Sequence, residues 1–120
     1  MENGSVMISI ITASIVYTAT LIGCPTGNTC TIMYNGERET IQFADFVVPQ
    51  RTGKCKEERV MAGTTAMVTG AYMRQVGKVY SELGRNNAGN ILVTAPDLKQ
   101  HFIKFDYARE LGDTKGWCND

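Results

Sequence analysis

Three β-prone runs in meander order, one long run at helical spacing, and short extended segments before a closing helix predict an α+β fold. The specific expectation is an OB-type five-stranded β-barrel with two or three helices. At 120 residues and 43% hydrophobic content the chain supports one core and is too short for two ordinary domains. It is read as one domain over 1–120, with residues 1–6 as a disordered leader.

The first strand is placed at 11–22, where Ile11, Ala13, Ile15, Tyr17, Ala19 and Leu21 fall on one face and Thr12, Ser14, Val16, Thr18, Thr20 and Ile22 on the other. Pro25-Thr26-Gly27-Asn28 breaks that pattern and Cys30 to Tyr34 resumes it, which predicts a hairpin. Asn35-Gly36 is a strong signal for a second tight turn, because both central residues of a type I′ turn need positive φ. Glu39 to Phe46 follows as the third meander strand.

Pro49 to Gly53 reads as a loop. A helix is expected from Lys54 on the spacing of Val60, Met61, Met67, Val68, Ala71 and Tyr72, with its end left open by Thr64, Thr65, Thr69 and Gly70. Val79 to Leu83 is an extended segment, Arg85 to Gly89 a polar loop, and Ile91 to Thr94 a short strand. Asp97 is the expected N-cap of a last helix carrying Leu98, Phe102, Ile103 and Phe105 to about Leu111.

Twelve Lys plus Arg balance twelve Asp plus Glu. No long-range field draws such a chain onto nucleic acid or an anionic membrane. The apolar stretch from Val6 to Gly23, ending in Leu21-Ile22-Gly23-Cys24, raises a signal sequence or lipoprotein box. The alternating pattern and the absence of a positive start, with Glu2 the only preceding charge, argue against it and against a membrane span. The four cysteines, Cys24, Cys30, Cys55 and Cys118, lack metal-ligand spacing, and His101 is the single histidine. An even count in a small domain fits two disulfides and a periplasmic or secreted location; a cytoplasmic protein with four buried thiols is the alternative.

Several segments carry a resemblance in consistent order. Ala19-Thr20-Leu21-Ile22, Gly27-Asn28-Thr29 and Ile32-Met33-Tyr34-Asn35-Gly36 resemble the opening hairpins of staphylococcal nuclease and its relatives, where the turn usually reads Asp-Gly-Asp-Thr. Thr40 to Gln50 is similar to the strand that the family writes Arg-Leu-x-Gly-Ile-Asp-x-Pro-Glu. Gly84 to Val93 is similar to its Tyr-Gly-Arg loop and strand, and Asp97-Leu98, Tyr107-Ala108-Arg109 and Gly116-Trp117-Cys118 to the last helix and tail of exported members. The match spans the chain from about Tyr17 and is weakest between Met61 and Leu83.

The resemblance implies a phosphodiesterase site whose chemistry this chain lacks. Such hydrolysis needs hard oxygen ligands for a metal, a group that orients or deprotonates water, and cations on the phosphate. The family's two metal aspartates correspond to Asn28 and Val47, neither a carboxylate. Its glutamate corresponds to Gln50, which can orient a water but cannot take its proton. Its two arginines correspond to Gln42 and Asn90, which cannot form a cationic clamp. No Ca²⁺ cofactor and no catalytic residue are therefore expected; a shifted alignment would leave Asp45 as the only nearby acid.

In the implied fold Cys24 and Cys30 bracket the first hairpin turn, and Cys55 and Cys118 tie the helix start to the tail, although sequence does not settle connectivity. Arg51, Lys54, Lys56 and Arg59 form a basic cluster beside the cleft, and Arg85 lies in the polar loop; these are the candidate binding residues. The interleaved Glu57 and Glu58 make a solvated face the simpler reading of that cluster. His101 reads as a surface residue and Trp117 as a packing lid. The expectation is a catalytically inactive module that binds a protein partner in preference to nucleic acid. The alternatives are a nucleic-acid-binding OB-type barrel and a residual metal-dependent nuclease.

Overall fold

The computed structural model describes residues 5–81, 84–113 and 115–118. Most of the proposed leader, residues 1–4, lies outside the described residues, whereas Val6 opens the first strand.

The polypeptide runs β1 (Val6–Thr12), β2 (Ile15–Thr26), β3 (Thr29–Tyr34), β4 (Glu37–Phe43), α1 (Lys56–Gln75), β5 (Lys78–Tyr80), β6 (Ile91–Val93) and α2 (Pro96–Lys104). The six strands form one sheet in the order β5-β1-β2-β3-β4-β6. The first four are an antiparallel meander, and the short β5 and β6 add in parallel to β1 and β4 at the two ends. Those ends then meet: Tyr80 and Thr94 exchange two backbone hydrogen bonds of 2.9 and 2.8 Å. The result is a nearly closed six-stranded barrel with two helices, an α+β arrangement compatible with an OB-like fold.

The barrel has six strands where five were expected because the first run folds back on itself. Ala13-Ser14 is a two-residue turn with Ala13 at φ 53°. Ser is a common turn residue but Ala is not, and a positive φ is unfavourable for Ala. The alternation survives in phase on the far side: Ala19 is buried opposite Ile8, and Tyr17 pairs with Ile10. Ile11 pairs with Val16 and so belongs to the outer face, not to the face shared by Ile15 and Ala19. The second turn forms as expected, with Asn35 at φ 54° and Gly36 at φ 79°.

Helix α1 packs by only part of the face its large residues suggest: Val68 and Tyr72 lie against the core as expected. Val60 and Met67 are 59% and 74% exposed, while Ala62, Thr65, Ala66, Thr69, Gly70 and Met73 are buried. Small residues at i, i+3, i+4 and i+7 let the helix lie close on the barrel. Thr69 Oγ1 donates to the Gly27 carbonyl at 2.6 Å. A Cβ on Gly27 would stand 2.7 Å from Thr65 Oγ1 and 3.1 Å from a Val48 methyl. Thr65, Thr69 and Gly70, three of the four residues that left the helix end open, thus belong to its packing surface.

Helix α2 begins at Pro96, a favoured first helical residue, with Ala95 as N-cap and Asp97 inside the first turn instead of capping it. It ends at Lys104, short of Leu111, where Asp106 takes φ 60° and the chain turns back. Leu98 and Phe102 reach the core, and Phe102 meets Phe46 edge-on at 5.3 Å.

Two disulfides join Cys24 to Cys30 and Cys55 to Cys118. The second spans a sequence separation of 63 and the first one of 6. On chain entropy alone these loops stabilise by about 4 and about 2 kcal/mol respectively. No helix among the described residues is long and apolar enough to cross a membrane.

The close seat of α1 makes Gly27 intolerant of a side chain. Gly27→Ala should lower stability by about 2 kcal/mol, read as a lower urea midpoint at unchanged slope. An unchanged midpoint would mean that the helix stands further from the turn than described.

Candidate functional site

The β2–β3 turn, the end of β4 and the Asn86–Asn90 loop meet in one hydrogen-bonded set. Thr26 Oγ1 accepts from the Asn28 N–H at 3.3 Å and donates to Asn28 Oδ1 at 3.0 Å, with Thr29 Oγ1 2.6 Å away. One hydroxyl hydrogen directed at Asn28 leaves Thr29 as the donor to Thr26. The Asn28 carbonyl accepts from the Phe43 N–H at 2.8 Å, and Thr29 pairs with Gln42 across the β3–β4 ladder.

Gln42 Oε1 then accepts from Asn86 Nδ2 at 2.9 Å and Asn90 Nδ2 at 3.2 Å. Asn86 Oδ1 in turn receives the N–H groups of Ala88 and Asn90, both at 3.0 Å, which shapes the loop. Every side chain in this set is an amide or a hydroxyl.

Beyond Phe46 the chain passes through Val47 and Val48 to Gln50. Val47 forms a two-way backbone bridge with Arg109, and the buried Val48 lies against Gly27. Gln50 is exposed; its Nε2 donates to the Val48 carbonyl at 3.2 Å, and its backbone N–H donates to Glu58 Oε2 at 3.0 Å. Asn28, Gln42 and Asn90 are therefore joined through hydrogen bonds and strand pairing. Val47 and Gln50 flank the residue that packs on the same turn.

A Ca²⁺ site of the kind the resemblance implies does not fit these side chains. Val47 offers no oxygen donor, and Asn28 Oδ1 is neutral and already accepts from Thr26. Among the described residues no three His, Cys, Asp or Glu side chains gather as a metal site.

The candidate binding residues do not form one patch. Arg51 Nε donates to the Pro25 carbonyl at 2.8 Å and borders a groove along α1 with Met67, Gly70 and Arg74. Arg59 donates to the Gly53 carbonyl at 2.9 Å. Lys54 and Lys56 are exposed around the start of α1. Arg85 instead pairs with Glu39 at 2.9 Å and donates to the Gly89 carbonyl at 2.7 Å, so it buttresses the Gln42 loop. Sequence reading missed Thr26, whose partners Asn28 and Thr29 lie within three residues, and placed Glu58 on a solvated face, whereas its carboxylate accepts the Gln50 N–H.

Asp45 lies apart from Asn28. It lines a cavity of about 570 Å³ beside α2 with Pro96, Lys99, Ile103 and Glu110, and the Lys99–Glu110 ion pair spans 2.9 Å there. Asp45 Oδ1 is buried without a hydrogen-bond partner. Burial pushes its carboxyl above the ordinary 3.8, more than the backbone N–H groups near it and Lys99 pull it down. At the tail, Arg109 is buried and donates to Asp106 and to the carbonyls of Lys115 and Gly116, with Trp117 stacked 4.4 Å from its guanidinium. That hydrogen bond holds the Asp106 carboxyl below its usual range.

No protein-family model matches the chain, and no curated protein matches it.

The raised carboxyl of Asp45 gives a pH dependence with a definite sign. A folded-state value above 3.8 means that stability present below that pH is lost as pH rises through the raised value. Asp45→Asn should therefore be more stable than the parent at neutral pH and equal to it in strong acid, measured by urea melts across pH. A variant less stable at neutral pH would show that the carboxylate is favoured where it lies.

Proposed function

We propose that this chain is a nuclease-like module, of the staphylococcal nuclease type, that has lost hydrolysis and acts by binding a protein partner outside the cytoplasm. The observation that carries the reading is the occupied amide of Gln42. At a position where the resemblance places a phosphate-clamping cation, a neutral oxygen is held by two asparagine amides. An amide set of this kind presents no positive charge to a phosphate and no base to a water.

Support for one shared ancestral site comes from the way its positions associate. Asn28, Gln42 and Asn90 are far apart in sequence yet linked by hydrogen bonds and strand pairing. Residues that the resemblance assigns to structure have structural work: Gly27 seats α1, and Gly89 takes φ 85° in the loop. The cleft is then a remnant scaffold, and binding falls to other surfaces.

A protein partner is favoured over nucleic acid by how the cations are used. Arg85, Lys99 and Arg109 each pair with a carboxylate, and acids equal bases in number over the whole chain. Counterion release from phosphates, the main source of nucleic-acid affinity, needs free cations on one face. The two disulfides fit an oxidising compartment.

Incubation of the purified protein with single- and double-stranded DNA in millimolar Ca²⁺ tests the reading, and no cleavage is expected. Chelator-sensitive cleavage that disappears in Gln50→Ala would overturn it. A mobility shift without cleavage that weakens steeply with salt would transfer the assignment to a nucleic-acid-binding barrel.

A further inference from the structure

From residue 3 to residue 36 the chain contains no Asp, Glu, Lys, Arg or His, so β1, β2 and β3 carry no charge at all. The β1–β2 hairpin forms an arm open on one side, since β5 pairs with β1 at Ser9–Ile11 on the other. β1 and β2 pair along their length from Val6↔Leu21 to Thr12↔Ile15, but β3 joins β2 only from Thr20↔Met33 onward. Among the described residues, nothing pairs with Ile15–Thr18 on the side away from β1.

That edge is exposed and apolar. Ile15 is 53% and Val16 60% exposed, and Tyr17 is covered only in part by the edge of the Tyr34 ring. Natural sheet edges are guarded by Lys, Pro, bulges or inward charges, because free N–H and C=O groups recruit further strands. Ile15-Val16-Tyr17-Thr18 has none of these guards. Its bulges lie further along, between Leu21 and Thr26.

We infer that the Ile15–Thr18 edge pairs antiparallel with the same edge of a second copy, extending the sheet across a two-fold axis. Antiparallel pairing of like segments is self-complementary, as a two-fold interface requires. The uncharged arm meets no Coulombic penalty in facing itself, and the outward Met7, Val16 and Met33 of each copy add apolar surface beside the new strand pair. A lipid surface suits the arm less well. Free backbone groups remain unsatisfied in hydrocarbon, and no Lys or Arg lies in the arm to meet headgroups. A short edge gives a small interface, so dissociation in the micromolar range is expected. The inference does not depend on the nuclease-like reading.

Sedimentation equilibrium from low micromolar to high micromolar concentration tests it, with the full chain and the double variant Val16→Lys/Thr18→Lys. The full chain should move to twice the monomer mass as concentration rises, while the variant stays at the monomer mass with the same melting temperature. A full chain that remains monomeric throughout overturns the proposal, as does a variant that still doubles its mass. Binding of the monomeric full chain to neutral phospholipid vesicles would assign the arm to lipid and likewise overturn it. Should the variant misfold, amide exchange of the unaltered chain decides. Protection at Ile15–Thr18 should fall by about tenfold on dilution, and concentration-independent exchange there would contradict pairing.

Discussion

The architecture depends on how closely α1 approaches the β2–β3 turn. Gly27 has no side chain, so the buried Thr65 fits against its Cα, and Thr69 takes the Gly27 carbonyl as acceptor. A buried carbonyl needs such a partner, since an unmet one costs about 1–3 kcal/mol. The same contact collects three otherwise separate pieces: the turn bearing Asn28, the Val48 segment leading to Gln50, and the helix that delivers the chain to β5. Had α1 packed by Val60 and Met67, those bulky side chains would hold it off the turn, and the cleft would have no fixed floor.

From that seat the constraints spread toward the C-terminus. Cys55 caps α1 through its sulfur, which accepts the Glu58 N–H, and is also bonded to Cys118. Arg109 grips the carbonyls of Lys115 and Gly116 while its own backbone bridges Val47. The tail is therefore tied both to the helix start and to the segment that leads from Val47 to Gln50. The barrel's closure is slighter, because β5 and β6 are three residues each and their ends meet through the Tyr80–Thr94 backbone bridge and a Ser81 Oγ–Leu92 carbonyl hydrogen bond.

Sequence periodicity revealed the sheet and missed its first fold-back. The alternation and the Asn35-Gly36 turn are local signals; the turn formed where expected, while the strand starts at Ile15 and runs on through Pro25-Thr26. Ala13-Ser14 gave no signal because its turn is imposed by the pairing of β1 with β2, a tertiary effect. For α1, weighing residues by hydrophobicity found Val68 and Tyr72, which reach the core, but also Val60 and Met67, which do not, whereas close approach selects small residues whatever their polarity. The disulfide partners became definite only with the fold, since pairing depends on which elements are neighbours. At the candidate site, the sequence itself shows that Asn28, Gln42 and Asn90 are uncharged. It does not show the amide network, because Gln42 and Asn86 are brought together by the arrival of β6 beside β4.

Where the proposed reading expects ions, the β2–β3 turn, β4 and the Asn86–Asn90 loop bring together amides and hydroxyls. Asn86 and Asn90 donate to Gln42 and Asn28 is held by Thr26, so these groups present no charge to a metal or a phosphate. The most direct measurement is an amide NMR titration with Ca²⁺ in the presence of a short oligonucleotide, following Asn28, Gln42 and Asn90. These signals should stay unmoved through millimolar Ca²⁺. Saturable shifts centred on the three residues would contradict the loss of the site.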